Sequence, residues 1–233
     1  MKVIITGASK GIGKAATLLL AEKGAEIAVC ARGKQQLEEL VADVLRIAPQ
    51  SKIHTSVADL SDRDAVLTFG AFCLEKLGAP DILINNAGVF FPGQLHTEPE
   101  GALEQMMQTN LFSAYHLSRT IIPAMKTAGK GHIISICSVA SIMAYSNGGA
   151  YSVSKYALYG LSRNLREELK PFGIRVTSIL PGATYTASWE GADIPEERFM
   201  PAEDIAAVIW QAISLSDRTV MEDIVLRPME GDL

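Results

Sequence analysis

The chain has 233 residues, 48% of them hydrophobic, 20% charged and 6% aromatic, with a formal net charge of −5. That length supports one large or two small domains with a sizeable core, and the balance excludes intrinsic disorder and collagen-like or coiled-coil character. The negative charge argues against a dedicated nucleic-acid binder, and apolar stretches such as 205–213 are too short to span a bilayer.

Short aliphatic runs alternate with segments of helical period from the first residues onward. Residues 3–6 read as a strand, and 11–23 as a helix with Ile12, Ala15, Leu18 and Leu19 on one face, ended by Gly24. A second strand spans 27–30 and a second helix 35–47, stopped before Pro49. The third strand is 53–58. Ser61 and Asp64 then form the S-x-x-D pattern of a capping box, predicting a helix to Leu77, and 81–85 is the fourth strand. A long helix is predicted from Thr97, where Thr97 and Glu100 repeat the capping pattern, to Met125. A strand at 131–137, a helix at 149–170 and a strand at 174–180 follow. Residues 184–200 have no clear period. A helix at 203–214 and a short strand at 223–226 close the pattern. Buried aliphatic strands joined by helices of ten or more residues mean right-handed βαβ crossovers. The expectation is α/β: a single doubly wound Rossmann-type domain over 1–233, with a central parallel sheet and helices on both faces.

Cys30, Cys73 and Cys137 are odd in number and form no C-x-x-C pair. With no secretory leader before Val3, they read as buried structural thiols of a cytoplasmic protein.

The turn between the first strand and first helix reads Thr6-Gly7-Ala8-Ser9-Lys10-Gly11-Ile12-Gly13. Missing Cβ atoms let a backbone approach a pyrophosphate there, and the helix N-terminus offers free N–H groups. A tight turn with one packing glycine would explain the same letters. The second strand ends Cys30-Ala31-Arg32, without the carboxylate that would grip a ribose 2′-hydroxyl. Arg32 and Lys10 are instead suited to clamp a 2′-phosphate, unless both are ordinary solvated charges. The cofactor expectation is therefore NADP(H) over NAD(H). Asp59 ends the third strand, either to accept from an adenine amino group or as a solvated loop carboxylate. Asn85-Asn86-Ala87-Gly88 ends the fourth in a sharp turn.

Tyr151 and Lys155 lie four apart at a helix start, on one face. Lowering a tyrosine pKa from about 10 to near 7 takes about 4 kcal/mol, which a nearby ammonium at an effective dielectric near 20 supplies. Tyr151 would then exchange protons near neutrality. Ser138 leaves the fifth strand at its carboxyl end, where such sheets bind ligands. Asn110 interrupts a helical pattern that asparagine does not favour.

On these residues the chain resembles the short-chain dehydrogenase/reductase family. It matches TGxxxGxG at 6–13, NNAG at 85–88, the tetrad Asn110, Ser138, Tyr151 and Lys155, and PG-x-x-x-T at Pro181, Gly182 and Thr186. The resemblance implies that Tyr151 protonates a substrate carbonyl oxygen as hydride arrives from nicotinamide, and that Ser138 polarises the carbonyl. Lys155 would depress the tyrosine pKa and bind the nicotinamide ribose, and Asn110 would hold a proton-relay water. It implies a cofactor shell of Gly7, Ser9, Lys10, Gly11, Ile12, Gly13, Arg32, Asp59, Asn86, Ala87, Gly88, Pro181, Gly182, Thr184 and Thr186, joined by Tyr151 and Lys155. It also implies a homotetramer or homodimer pairing helices near 103–125 and 151–170.

Residues 184–200 form the expected lid, in which Trp189 and Phe199 either cover a substrate or pack the loop down. Ile142, Met143 and Tyr145 are a second expected wall beside Ser138. The ending at 218–228 and the lid residues Tyr185, Thr186 and Trp189 resemble the branch holding bacterial sepiapterin reductases and hydroxy-acid or diketone reductases. The expected partner is a small carbonyl or alcohol, with no nucleic acid and no membrane. A 3-oxoacyl-carrier ketoreductase and a non-catalytic dinucleotide sensor are the alternatives. His54, His96, His116 and His132 have no metal-ligand spacing, so no metal is expected. Locally, Lys2, Lys10, Lys14, Lys23, Arg32 and Lys34 face only Glu22 and Glu26, a +4 that leaves −9 elsewhere.

Overall fold

A computed structural model describes residues 1–186 and 194–232. Strands β1 (Lys2–Thr6), β2 (Glu26–Ala31), β3 (Ile53–Val57), β4 (Ile82–Asn85), β5 (Gly131–Ile136), β6 (Ile174–Pro181) and β7 (Asp223–Leu226) form one parallel sheet in the order β3-β2-β1-β4-β5-β6-β7. The order reverses beside β1, between β1 and β4, which opens a crevice at the carboxyl ends of the strands.

Alternate strand residues feed two cores, because side-chain direction has a period of two. Val3, Ile5, Ile27 and Val29 point to the face covered by α1 (Gly11–Glu22), α2 (Lys34–Ile47) and α7 (Ala202–Ser214), and Leu20, Leu40, Ile205 and Ile209 meet them there. Ile4, Ala28, Leu83 and Ile133 point to the other face, against Phe69 and Cys73 of α3 (Arg63–Leu77), Ile121 of α5 (Ser113–Ala128) and Leu165 of α6 (Gly149–Leu169). Each fully buried aliphatic side chain contributes about 1.5–3 kcal/mol, so both faces must be covered and the doubly wound form follows.

Two helix starts differ from the sequence expectation. Asp62, not Ser61, caps α3 by accepting from the Asp64 N–H at 2.8 Å. Ser61 donates both its N–H and its hydroxyl to Asp59. The helix predicted from Thr97 begins at Ala102 as α4 (Ala102–Met107), after Gly101 in the left-handed region at φ +85°. The Thr97 and Glu98 N–H groups close a turn onto the Gln94 carbonyl, and the Glu98 carboxylate accepts from the Ala150 N–H at 3.2 Å. A π-helical turn at Gln108–Phe112 then separates α4 from α5. Cys30, Cys73 and Cys137 are buried free thiols.

Candidate active site

One cleft of about 690 Å³ runs along the carboxyl ends of the strands. At its β1 end Thr6 is buried, and its hydroxyl accepts from the Asn86 and Ala87 N–H groups at 2.9 and 3.0 Å. Asn86 returns two bonds from Nδ2, to the carbonyls of Thr6 and Gly7. These bonds lock the turn after β1 to the turn after β4. Gly7 requires φ +65° there, and a Cβ on it would stand 3.0 Å from Ala87 Cα.

Lys10 is the N-cap of α1 but supplies no side-chain cap, and the first intrahelical bond runs from the Lys14 N–H to the Lys10 carbonyl. The preceding N–H groups therefore open toward the cleft that Ser9, Lys10, Gly11 and Ile12 line. Gly13 does not line it. A Cβ there would lie 2.3 Å from the Gly7 carbonyl oxygen and 2.5 Å from Asn86 Nδ2, so this glycine serves the packing beneath the loop. Thr186 closes over the same loop, its Cγ2 only 2.9 Å from where a Gly11 Cβ would stand.

Arg32 and Lys10 are exposed at the cleft mouth with Asp59 and Ser61. The Ser61 backbone and hydroxyl bonds hold the Asp59 carboxyl below its usual range, and the Arg32 charge adds to that. The site residues of β4 and β6, Asn86, Ala87, Gly88, Pro181, Gly182, Thr184 and Thr186, line the middle of the cleft.

Ser138 follows β5 and caps a 3₁₀ turn, Val139–Ser141, its hydroxyl accepting from the Ala140 N–H at 3.1 Å. Tyr151, in the first turn of α6, packs against the edge of Phe90 with ring centres 4.9 Å apart. Lys155, one turn on, is buried and donates to the Ile136 carbonyl at 2.8 Å. Its ammonium stands 5.7 Å from the Tyr151 ring centre. Burial pulls Lys155 down to about 8. Burial also pushes the Tyr151 phenol up to about 12, against a lowering hydrogen bond from Ser138. Desolvation thus acts on the pair in opposite senses, favouring the protonated phenol and the neutral amine.

Asn110 falls in the π turn and is 1% exposed. Its side chain accepts from the Val89 N–H at 2.7 Å and donates to the Val89 carbonyl at 3.0 Å and to Ser154 Oγ at 2.9 Å. Ser154 in turn donates to the Tyr151 carbonyl. Asn110 does not line the cleft. It ties the β4 loop to the α6 turn that carries Tyr151.

Tyr145 and Met143 line the cleft beyond Ser138, whereas Ile142 is 44% exposed and does not. Trp189 lies outside the described residues. Phe90, Phe91, Gln105, Thr109 and Asp232 are among the lining residues that were not singled out from the sequence. Val89, Phe90 and Phe91 directly follow the Asn85–Gly88 turn, an apolar run at a ligand-binding edge that was a usable signal. Gln105 and Thr109 carried none, since α4 shows which face it turns inward only once it is folded.

A family model described as short chain dehydrogenase matches residues 1–196. The chain therefore belongs to the short-chain dehydrogenases, oxidoreductases on a Rossmann-type sheet. It is 34% identical to a sepiapterin reductase from Chlorobaculum tepidum over 244 residues, covering 99% of this chain and 97% of that one. An alcohol dehydrogenase from the archaeon Thermococcus sibiricus, complexed with 5-hydroxy-NADP, superposes with a TM-score of 0.92 at 26% identity, over 100% of this chain and 98% of the other. A 7α-hydroxysteroid dehydrogenase complexed with NADH and 7-oxo glycochenodeoxycholic acid superposes at 0.87 with 28% identity, over 99% and 94%.

Proposed function

We propose that the chain is an NADP(H)-dependent carbonyl reductase, also able to oxidise the corresponding secondary alcohol, with Tyr151 as its general acid/base. The observation that carries this reading is the meeting of Ser138, Tyr151 and Lys155 with the uncapped start of α1 in one cleft. The residues fit a dinucleotide: the α1 N–H groups and Gly7 and Gly11 suit the pyrophosphate, Asp59 the adenine, and Lys10 and Arg32 a 2′-phosphate. Lys155, Asn86, Gly88, Pro181, Gly182, Thr184 and Thr186, which line the same cleft, would hold the nicotinamide half. Bound there, the dinucleotide supplies the hydride.

Ser138 donates to the carbonyl oxygen and orients it. Tyr151, its phenol protonated at neutral pH, gives that oxygen a proton, so that a carbonyl, a hydride and a proton become an alcohol. Asn110 acts by positioning the Tyr151 turn. Residues 184–200 serve as the lid of a single domain over 1–233, and the buried thiols suit a cytoplasmic setting. Exposed Leu103, Phe112, Val153 and Tyr156 on α4–α6 support assembly into a dimer or tetramer, which a monomeric mass at micromolar concentration would refute.

The substrate classes to assay are pterin side-chain ketones, diketones and 3-oxo acids, each followed by NADPH and NADH absorbance. Oxidation of NADPH with a member of the panel, faster than of NADH, is the expected result. A clear preference for NADH would remove the Lys10–Arg32 assignment, and no turnover with any carbonyl would remove the reductase.

A further inference from the structure

The part of the cleft beyond Ser138 and Tyr151 is lined by Phe90 and Phe91 after β4, Gln105 and Thr109 on α4 and the π turn, and Met143 and Tyr145 after β5. None of the six side chains is a cation. Three cations line the cleft as a whole: Lys10, Arg32 and Lys155. The sheet order β2-β1-β4-β5 puts three strand spacings, roughly 14 Å at ~4.8 Å each, between the strands that lead to Arg32 and to Ser138. Over such a distance salt largely screens an exposed charge. The third cation, Lys155, has its ammonium on the Ile136 carbonyl.

The lid adds nothing positive. Residues 187–193 contain Glu190 and Asp193 but no Lys or Arg, so no placement of that segment supplies a cation. Arg198, the single Lys or Arg in 184–200, is paired with Glu230 at 3.1 Å. An ionised carboxylate or phosphate entering this end would exchange water for aromatic and thioether surface with no counter-charge, which is costly. The wall does offer neutral polar groups. Gln105, exposed, and Thr109, half-buried, line the cleft, and neither side chain is hydrogen-bonded within the described residues.

We propose that this wall selects uncharged carbonyl compounds with an apolar or aromatic body, with Gln105 and Thr109 holding a second hydrogen-bonding group, and that it rejects carboxylates and phosphorylated carriers. The proposal rests on the reductase reading above. It is tested with two ester and acid pairs that differ in charge at the same ketone: methyl benzoylformate with benzoylformate, and methyl acetoacetate with acetoacetate.

NADPH-linked kcat/KM is measured for the natural protein, Gln105→Leu and Gln105→Arg, with NADPH binding followed by fluorescence. The natural protein should favour the esters by at least about ten-fold, because the acid gives up hydration against aromatic and thioether surface that offers no counter-charge. Gln105→Leu should raise the ester KM more than it lowers kcat. Gln105→Arg should shift the preference toward the acids by about ten-fold or more, an arginine being the planar partner of a carboxylate. Equal or better reduction of the acids by the natural protein, or a ratio unmoved by Gln105→Arg, overturns this proposal alone. Bound NADPH with no reduction of any carbonyl overturns it together with the reductase.

Discussion

His132 shows how much a single buried residue can decide. It lies wholly buried on β5, with Nε2 2.7 Å from Thr177 Oγ1. The Thr177 hydroxyl donates to the Met221 carbonyl at 2.6 Å, so it accepts from the ring, which fixes the neutral Nε2–H tautomer. Burial, with the nearby Arg175 charge, pulls its pKa from 6.5 down to about 3. Between those values the folded chain binds fewer protons than the unfolded one, so stability is full above pH 6.5 and falls as the pH drops toward 3. From pH 7 to pH 5 this residue should remove about 2 kcal/mol. Urea unfolding at both pH values should show that loss in the natural protein and a smaller one in His132→Gln; equal losses would contradict the assignment. The same physics acts on Tyr151 and Lys155, raising the phenol and lowering the ammonium. Four-residue spacing reveals that a lysine is near, but only the fold reveals that both groups are desolvated.

At the scale of elements, the inner strands β1, β2, β4, β5 and β6 were legible because each is an apolar-rich run buried on both faces, whereas the edge strands β3 and β7 are only partly covered. The long helix before β5 was legible in its body but not at its start. Thr97 and Glu100 have the letters of a cap, yet Pro99 and Gly101 delay the helix to Ala102. Nor does the sequence announce the π turn, which inserts where Asn110 must reach Val89 and Ser154. Such turns recur at functional sites. Asn110→Ala would leave the Val89 N–H and carbonyl without their partner, at about 3 kcal/mol. The midpoint of thermal unfolding should fall by about 6–12 °C. An unchanged midpoint would show that the π turn holds without this side chain.

Over the whole molecule, the positive surplus counted near the N-terminus is mostly structural. Lys14 pairs with Asp43 at 2.6 Å, Lys34 with Glu38 at 3.8 Å, Lys2 holds the Leu77 carbonyl, and Lys23 stands 5.5 Å from the Trp210 ring centre. Lys10 and Arg32 remain at the cleft mouth of an otherwise acidic protein. The motif residues of the cleft were legible because local turn chemistry dictates them. The Gln105 and Thr109 part of the wall was not, because it forms only when β4, α4 and β5 meet. What unites these parts is the claim that Tyr151 gives the proton in an NADPH-driven carbonyl reduction, and one measurement bears on it most directly. In Tyr151→Phe the Kd for NADPH should stay as in the natural protein while carbonyl turnover falls by about 10²–10⁴-fold. Turnover that persists undiminished in that variant would contradict the account.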